Sequence, residues 1–263
     1  MPDRQNFTAD DGCAIAYRRE GKIGGKPLLL SNSLGTDMRL WDAQIPALTD
    51  RFDVIRYDAR GHGQSSVPAG GYSLDRLGRD ALELLDHLEV AEADFAGISL
   101  GGMIGQWLGY RAPERFRRII IANSSAYMGP PEGWAARIQT VSANGMESMI
   151  EPVLERWFTE EFRAAQGPEL DAVRQQLIAT DPAGYAGCSA AIRDMDLRPT
   201  ARLIEARTLV ISGSKDPATP PEHSEWMLNN IRHCELVSLP AAHLSNIEAA
   251  EPFNQAMLSF LAD

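Results

Sequence analysis

Cysteine is scarce in this chain of 263 residues: Cys13, Cys188 and Cys234 are scattered, odd in number and without metal-ligand spacing. That argues against a disulfide framework or a thiolate metal centre and suits reduced thiols in a cytoplasmic protein. None lies in a G-x-C-x-G setting, so none is a candidate nucleophile. Positive charge is also short. A net charge of −11 speaks against nucleic acid or an anionic membrane surface as a partner. It leaves room for a small anionic substrate, because salt screens distant charges and nearby arginines dominate a pocket. No apolar run approaches the roughly 18 residues of a membrane span. The opening Met1-Pro2-Asp3-Arg4-Gln5-Asn6 has neither the basic start nor the apolar core of a signal peptide. The expected location is therefore cytoplasmic. A dinucleotide fingerprint, a P-loop and a metal cluster are missing too, so the expected chemistry uses no cofactor and no metal.

What the chain does contain is alternation. Residues Gln5 to Arg19 read as a hairpin turning at Asp10-Asp11-Gly12. Pro27 to Ser31 is an apolar run of the kind a buried parallel strand needs. An amphipathic helix is expected from Trp41 to about Leu48, then a strand over Asp53–Tyr57. Ser73 is a suitable N-cap for a helix whose leucines and alanines keep helical spacing from Leu74 to Leu88. Strands follow at Phe95–Ile98, Arg117–Asn123, Arg207–Gly213 and Cys234–Leu239, and a last helix at Glu251–Leu261. Strands alternating with helices imply a mostly parallel sheet, the α/β class. Residues 124–197 carry helical and turn signals but no strand. They are expected to form a helical cap inserted into a core made of residues 1–123 and 198–263.

The candidate chemistry starts at Gly97-Ile98-Ser99-Leu100-Gly101, where a strand runs directly into a helix. This G-x-S-x-G elbow thrusts a serine hydroxyl out of a strained turn, and the two glycines leave room for the crowded backbone. In such an elbow the orienting acid and the base follow the serine along the chain, at the ends of later strands. Asp216 stands just after the Arg207–Gly213 strand and His243 just after the Cys234–Leu239 strand. They are the expected acid and base for Ser99. His62, His87, His223 and His233 fit less well, lying in a glycine-rich turn or on or beside helices. Two backbone amides are expected to receive negative charge, Leu100 at the helix start and Leu34 in the loop after the Leu28–Leu30 strand. Ser33 is either an extra hydroxyl donor or a turn residue. Asp58-Ala-Arg-Gly-His-Gly-Gln-Ser65 is expected to be a structural turn in which Asp58 and Arg60 tie loops together.

Taken together, G-I-S-L-G-G, Y-D-A-R-G-H-G, D-P-A-T-P-P after Asp216 and A-A-H-L-S-N around His243 resemble the α/β-hydrolase superfamily. Within it, S-N-S-L-G-T-D from Ser31, W-D-A-Q-I-P-A-L from Trp41, G-P-P-E-G-W from Gly129, L-E-R-W-F-T from Leu154 and A-I-R-D-M-D-L-R from Ala191 are similar to 3-oxoadipate enol-lactonases. The resemblance spans nearly the whole chain, cap included. Asn32-Ser33 stands where many relatives carry His-Gly, and Leu100 where many carry methionine. The resemblance implies an α/β-hydrolase fold and hydrolysis of 3-oxoadipate enol-lactone to 3-oxoadipate in aromatic-compound catabolism. Some relatives are fused to a decarboxylase domain; this chain ends after its last expected helix, so the hydrolase part alone is expected. Such a substrate carries a carboxylate and needs a cation. Trp134 and Arg137 share a helix face at three-residue spacing, so Arg137 is expected to bind the carboxylate and Trp134 to wall the ring. Arg193 is the second choice. The alternatives are another esterase or carbon–carbon bond hydrolase with the same triad, or a ligand-binding protein on the same scaffold. The residues leave the oligomeric state open, a homo-oligomer included.

Overall fold

The computed structural model describes residues 4–262. Met1–Asp3, on which part of the N-terminal reading rests, and Asp263 lie outside the described residues. The strands are β1 (Gln5–Thr8), β2 (Ala14–Gly21), β3 (Lys26–Ser31), β4 (Phe52–Tyr57), β5 (Ala93–Ile98), β6 (Phe116–Ala122), β7 (Arg207–Gly213) and β8 (Cys234–Leu239). The helices are α1 (Ile45–Leu48), α2 (Leu74–His87), α3 (Leu100–Arg111), α4 (Pro131–Asn144), α5 (Ile150–Trp157), α6 (Glu160–Ala164), α7 (Pro168–Ala179), α8 (Pro182–Asp194), α9 (Pro221–Asn230), α10 (Ser245–Glu248) and α11 (Ala250–Ala262).

One sheet holds all eight strands in the order β1-β2-β4-β3-β5-β6-β7-β8. β1–β2 and β2–β4 pair antiparallel, and every other neighbour is parallel. The central strands are apolar because both faces are covered: Leu28–Leu30, Phe95 and Ile119–Ile121 have no exposed surface. Helix starts follow local chemistry. Ser73 accepts the Arg76 N–H at 3.1 Å to cap α2. Proline opens α4, α7, α8 and α9, where its missing N–H is no loss.

The helix expected over Trp41–Leu48 is instead a 3-10 turn, Met38–Trp41, followed by the single turn of α1. Pro46 has no N–H to donate to residue 42, so a continuous helix cannot run through the segment. On α3, Gly102, Gly105 and Gly109 face the sheet. A β-carbon would press into Ser124 and Ile121 from Gly102, into Phe95 from Gly105, and into Ile119 and Ile204 from Gly109. Arg60 ties the loop after β4 to α2 and the β1–β2 turn, through Asp80 at 2.6 Å and Asp11 at 2.8 Å.

Between β6 and β7 the chain forms five helices, α4–α8, and no strand among the described residues. α4 packs on α8. Polar ties fasten this insertion to the core, several of them near the strand ends. Leu244 N–H donates to the Trp157 carbonyl (3.1 Å), Thr159 donates to the Glu248 carboxylate, Thr180 Oγ1 donates to the Gly35 carbonyl (3.1 Å), and Asp37 N–H donates to Gln176 Oε1 (3.0 Å).

Candidate active site

Ser99 sits at the junction of β5 and α3 with φ +56° and ψ −112°, a backbone conformation that side-chain-bearing residues rarely adopt. The surroundings hold it there. Its N–H donates to the Ala122 carbonyl at 2.9 Å, and its own carbonyl accepts from Ser124 Oγ at 2.7 Å. The flanking glycines are explained by contact distances. A β-carbon on Gly97 would lie 2.2 Å from the Gly101 carbonyl oxygen, and one on Gly101 would lie 2.3 Å from that of Ser31.

Asp216 and His243 leave the ends of β7 and β8, and the two loops are stitched together. Ser214 N–H donates to Leu239 O at 2.8 Å, and Lys215 N–H to Ala241 O at 3.0 Å. His243 Nδ1 meets Asp216 Oδ2 at 2.8 Å, both side chains almost fully buried. Asp216 also accepts the N–H groups of Ala218 (2.7 Å) and Thr219 (3.0 Å), the Thr219 hydroxyl (2.7 Å) and Asn123 Nδ2 (3.1 Å). Burial pushes its pKa up, but the His243 charge and this set of donors more than offset that and bring it down to about 2. The carboxylate therefore stays ionised at neutral pH. Trp157 from α5 stacks on the His243 ring at 6.2 Å.

Asn123 is a residue that motif reading missed. Held at φ +44° one residue past β6, it donates to both Asp216 and the Ala242 carbonyl, each at 3.1 Å, and accepts from Ser245 Oγ at 2.5 Å. It thus ties the acid to the loop that carries the imidazole. The available signal was its position at a strand end between two other candidate strand ends.

The N–H groups of Leu34 and Leu100 donate to no protein acceptor among the described residues. Leu34 lines the same cavity as Ser99, and Leu100 begins α3 directly after it. The Leu34 loop is braced on several sides. Gly35 N–H donates to His62 Nε2 (2.8 Å), Met38 N–H to Asp58 Oδ1 (2.8 Å), and Asn32 Nδ2 to Tyr57 O (2.8 Å). So the Asp58–Ser65 turn is structural, as expected, and it braces the loop carrying one candidate amide. Burial drives the His62 pKa down to about 4, which keeps the ring neutral and able to accept. Ser33 Oγ is buried, without a hydrogen-bond partner among the described residues, and on the cavity wall, which suits the extra-donor reading. Its carbonyl also accepts from Thr36, as a turn residue's does.

Ser33, Leu34, Ser99 and His243 line one cavity with Met103, Trp134, Arg137, Val153, Arg156, Trp157 and Tyr185. The Arg137 guanidinium lies 4.7 Å from the centre of the Trp134 ring and donates to the Tyr185 hydroxyl at 3.2 Å. Trp134 and Arg137 therefore share a face and a cavity, as their spacing suggested. Arg193 does not reach it. Its side chain pairs with the adjacent Asp194 at 2.7 Å and borders a separate surface hollow beside Gly70 and Ala186, so the second choice of cation is corrected. Arg156, overlooked in the sequence, lines the cavity instead.

Among the described residues no group of three or more His, Cys, Asp or Glu side chains is arranged to hold a metal. The three cysteines are free. Burial raises their pKa values, to about 11 for Cys13 and about 12 for Cys234, which leaves them poorly nucleophilic. Nor is any helix long and apolar enough to cross a membrane among the described residues.

A family model described as alpha/beta hydrolase fold matches residues 26–250. The 3-oxoadipate enol-lactonase 2 of Acinetobacter baylyi is 39% identical over 254 residues, covering 97% of this chain and 95% of the relative. Among solved structures, a hydrolase from Pseudomonas aeruginosa PA01 superimposes with TM-score 0.97 at 47% identity, covering 99% of each chain. The enol-lactonase of Burkholderia xenovorans LB400 does so with TM-score 0.96 at 38% identity, covering 98% of this chain and all of that one. The strand order, the Ser99 elbow and these likenesses agree: the chain belongs to the alpha/beta hydrolase fold family, and within that family it is similar to the 3-oxoadipate enol-lactonases.

Proposed function

We propose that this chain is a carboxylic ester hydrolase that opens 3-oxoadipate enol-lactone to 3-oxoadipate through an acyl-Ser99 intermediate. The observation that carries the reading is the convergence on one cavity of Ser99, the Asp216-held His243, the unbonded Leu34 amide and two arginines. The lactone itself comes from the named relatives.

With Nδ1 engaged by Asp216, the other ring nitrogen of His243 is left to take the Ser99 proton as Oγ attacks the lactone carbonyl. Negative charge gathers on the carbonyl oxygen, where the Leu34 and Leu100 amides receive it. One such donor lowers the barrier by roughly 3 kcal/mol. Collapse breaks the ring C–O bond, and the electron pair leaves as an enolate tethered to the acyl group. His243 delivers the proton it took from Ser99 to the enolate carbon, which gives the ketone, removes the internal nucleophile that would close the ring again and returns the imidazole to its neutral form. Water, deprotonated by His243, then attacks the acyl carbon. Ser99 departs with its proton restored. The balance is one water consumed, with no redox step.

On this reading residues 124–197 are a cap. Trp134 walls the ring from α4, and Arg137 pairs with the substrate carboxylate. Ultraviolet monitoring of enol-lactone loss beside a panel of aryl and alkyl esters tests the assignment. The lactone is expected to show the highest kcat/KM, with an acyl adduct on Ser99 detected by mass spectrometry after rapid quench. Faster turnover of simple aryl esters would replace the lactone reading with a general esterase.

A further inference from the structure

Two arginines on the cavity wall have no carboxylate partner among the described residues. Arg137 is engaged by the Trp134 ring and the Tyr185 hydroxyl. Arg156 has one long contact, to the Pro217 carbonyl at 3.4 Å. Both line the cavity that holds Ser99 and His243, and both line a second hollow just outside it, together with Met128, Trp134 and Ala218. Among the described residues no Asp or Glu side chain lines either space. The guanidinium pair therefore stands where the inner cavity adjoins the outer hollow. In a chain of net charge −11, this is a local concentration of positive charge.

Leaving two cations unneutralised beside each other is unfavourable. Arg156 is half-buried, and burial followed by the Arg137 charge lowers its pKa, against a weaker opposing pull from Asp216. An anion placed between the two would relieve both penalties. Guanidinium groups suit a carboxylate because their N–H forks match its two oxygens.

We infer that Arg156 is a specificity-determining residue: with Arg137 it forms a two-arginine clamp that selects esters and lactones whose acyl part carries a carboxylate away from the scissile carbonyl. The inference rests on the reading of Ser99 as the nucleophile, but not on the identity of the lactone. Substrates of this class arise from reactions that leave a free carboxylate on a small acyl chain. Neutral esters of equal size lack the group that the clamp holds.

The test compares two 4-nitrophenyl esters, the anionic hemiglutarate and the neutral valerate, with the full-length enzyme and the variants Arg156→Gln and Arg156→Lys. The quantity read is the ratio of kcat/KM for the anionic ester to that for the neutral one. Wild type is expected to favour the anionic ester. Arg156→Gln is expected to lower the ratio about tenfold or more, mainly through KM for the anionic ester, as expected for loss of a charged hydrogen bond. Arg156→Lys is expected to restore part of it, and glutarate is expected to inhibit wild type more strongly than Arg156→Gln. A purely structural role, holding the loop after Asp216 through Pro217, lowers both esters alike and leaves the ratio unchanged. That result, or a wild type indifferent to charge, overturns the inference. If the charge preference depends on Arg156 while the enol-lactone is not turned over, the clamp stands and the lactone assignment fails.

Discussion

The sheet and the helical insertion build their shares of the cavity by different means. On the sheet side the side chains are fixed by backbone. Ser99 is locked at an unusual dihedral by hydrogen bonds to Ala122 and Ser124, and the loops of Asp216 and His243 are bonded to each other and to Asn123. On the insertion side, Trp134, Arg137, Arg156 and Tyr185 are placed by helix packing and by contacts among themselves. A few polar ties join the two regions. On the proposed reading this is a division of labour: the groups that carry the chemistry grow from strand ends, and those that face the rest of the substrate are carried on packed helices.

The sharpest way to break this contrast is to remove sheet-side groups. Ser99→Ala is expected to reduce kcat by about 10⁶-fold, the order seen when the nucleophile is deleted from such a triad. Asp216→Asn is expected to lose about 10⁴-fold, because the amide favours the wrong imidazole tautomer. Lactone turnover with circular dichroism as a folding control checks both. A Ser99→Ala enzyme working at near-normal rate would place the chemistry elsewhere.

Asn123 is next. Asn123→Gly keeps the freedom that φ +44° requires but removes the side chain bridging Asp216 and Ala242. The expected loss is about 10- to 100-fold in kcat with little change in KM. A rise in KM at constant kcat would instead connect Asn123 to binding.

The same contrast explains what was readable from residues alone. β5 was legible to within two residues, and the start of α3 with it, because an apolar run ran straight into a glycine-flanked serine. Asp216 and His243 followed from strand ends. Asn123 occupies an equivalent strand end, yet an amide carries no acid–base signature, so motif reading passed over it. In the insertion the limit is different. Which arginine faces the cavity depends on how α5 and α8 rotate against the sheet, and no local rule fixes that rotation. Arg193 is instead held by its neighbour Asp194, while Arg156 turns inward. Pro46, for its part, broke a helix whose apolar spacing looked continuous.

A smaller effect probes the seam between the regions. Thr180, from the insertion, donates to the Gly35 carbonyl, next to the Leu34 amide. Thr180→Val keeps the shape and leaves that carbonyl unpaired. The expected cost is about 1 kcal/mol, or roughly a two- to tenfold fall in kcat, with KM for the lactone nearly constant. If KM moves and kcat does not, the insertion acts on binding alone and the seam does not reach the amide.

The smallest expected effect is a near-cancellation. Gly35 is held from the core side by His62, whose pKa falls from an ordinary 6.5 to about 4 through burial. Between those pH values the unfolded chain takes up a proton that the folded chain refuses, so acidification costs about 3 kcal/mol of stability through this group. Asp58, which accepts Met38 N–H in the same loop, has its pKa raised by burial from 3.8 to about 6. There the folded chain takes up a proton first, so acidification over nearly the same window adds about 3 kcal/mol. The two contributions oppose each other, and this loop leaves wild-type stability almost level from pH 6.5 to 4. Substitution separates them. Relative to wild type, His62→Gln is expected to gain stability as pH falls from 7 to 4.5, and Asp58→Asn to lose it, in urea midpoints at constant ionic strength. Parallel curves for wild type and both variants would show that neither group titrates differently on folding.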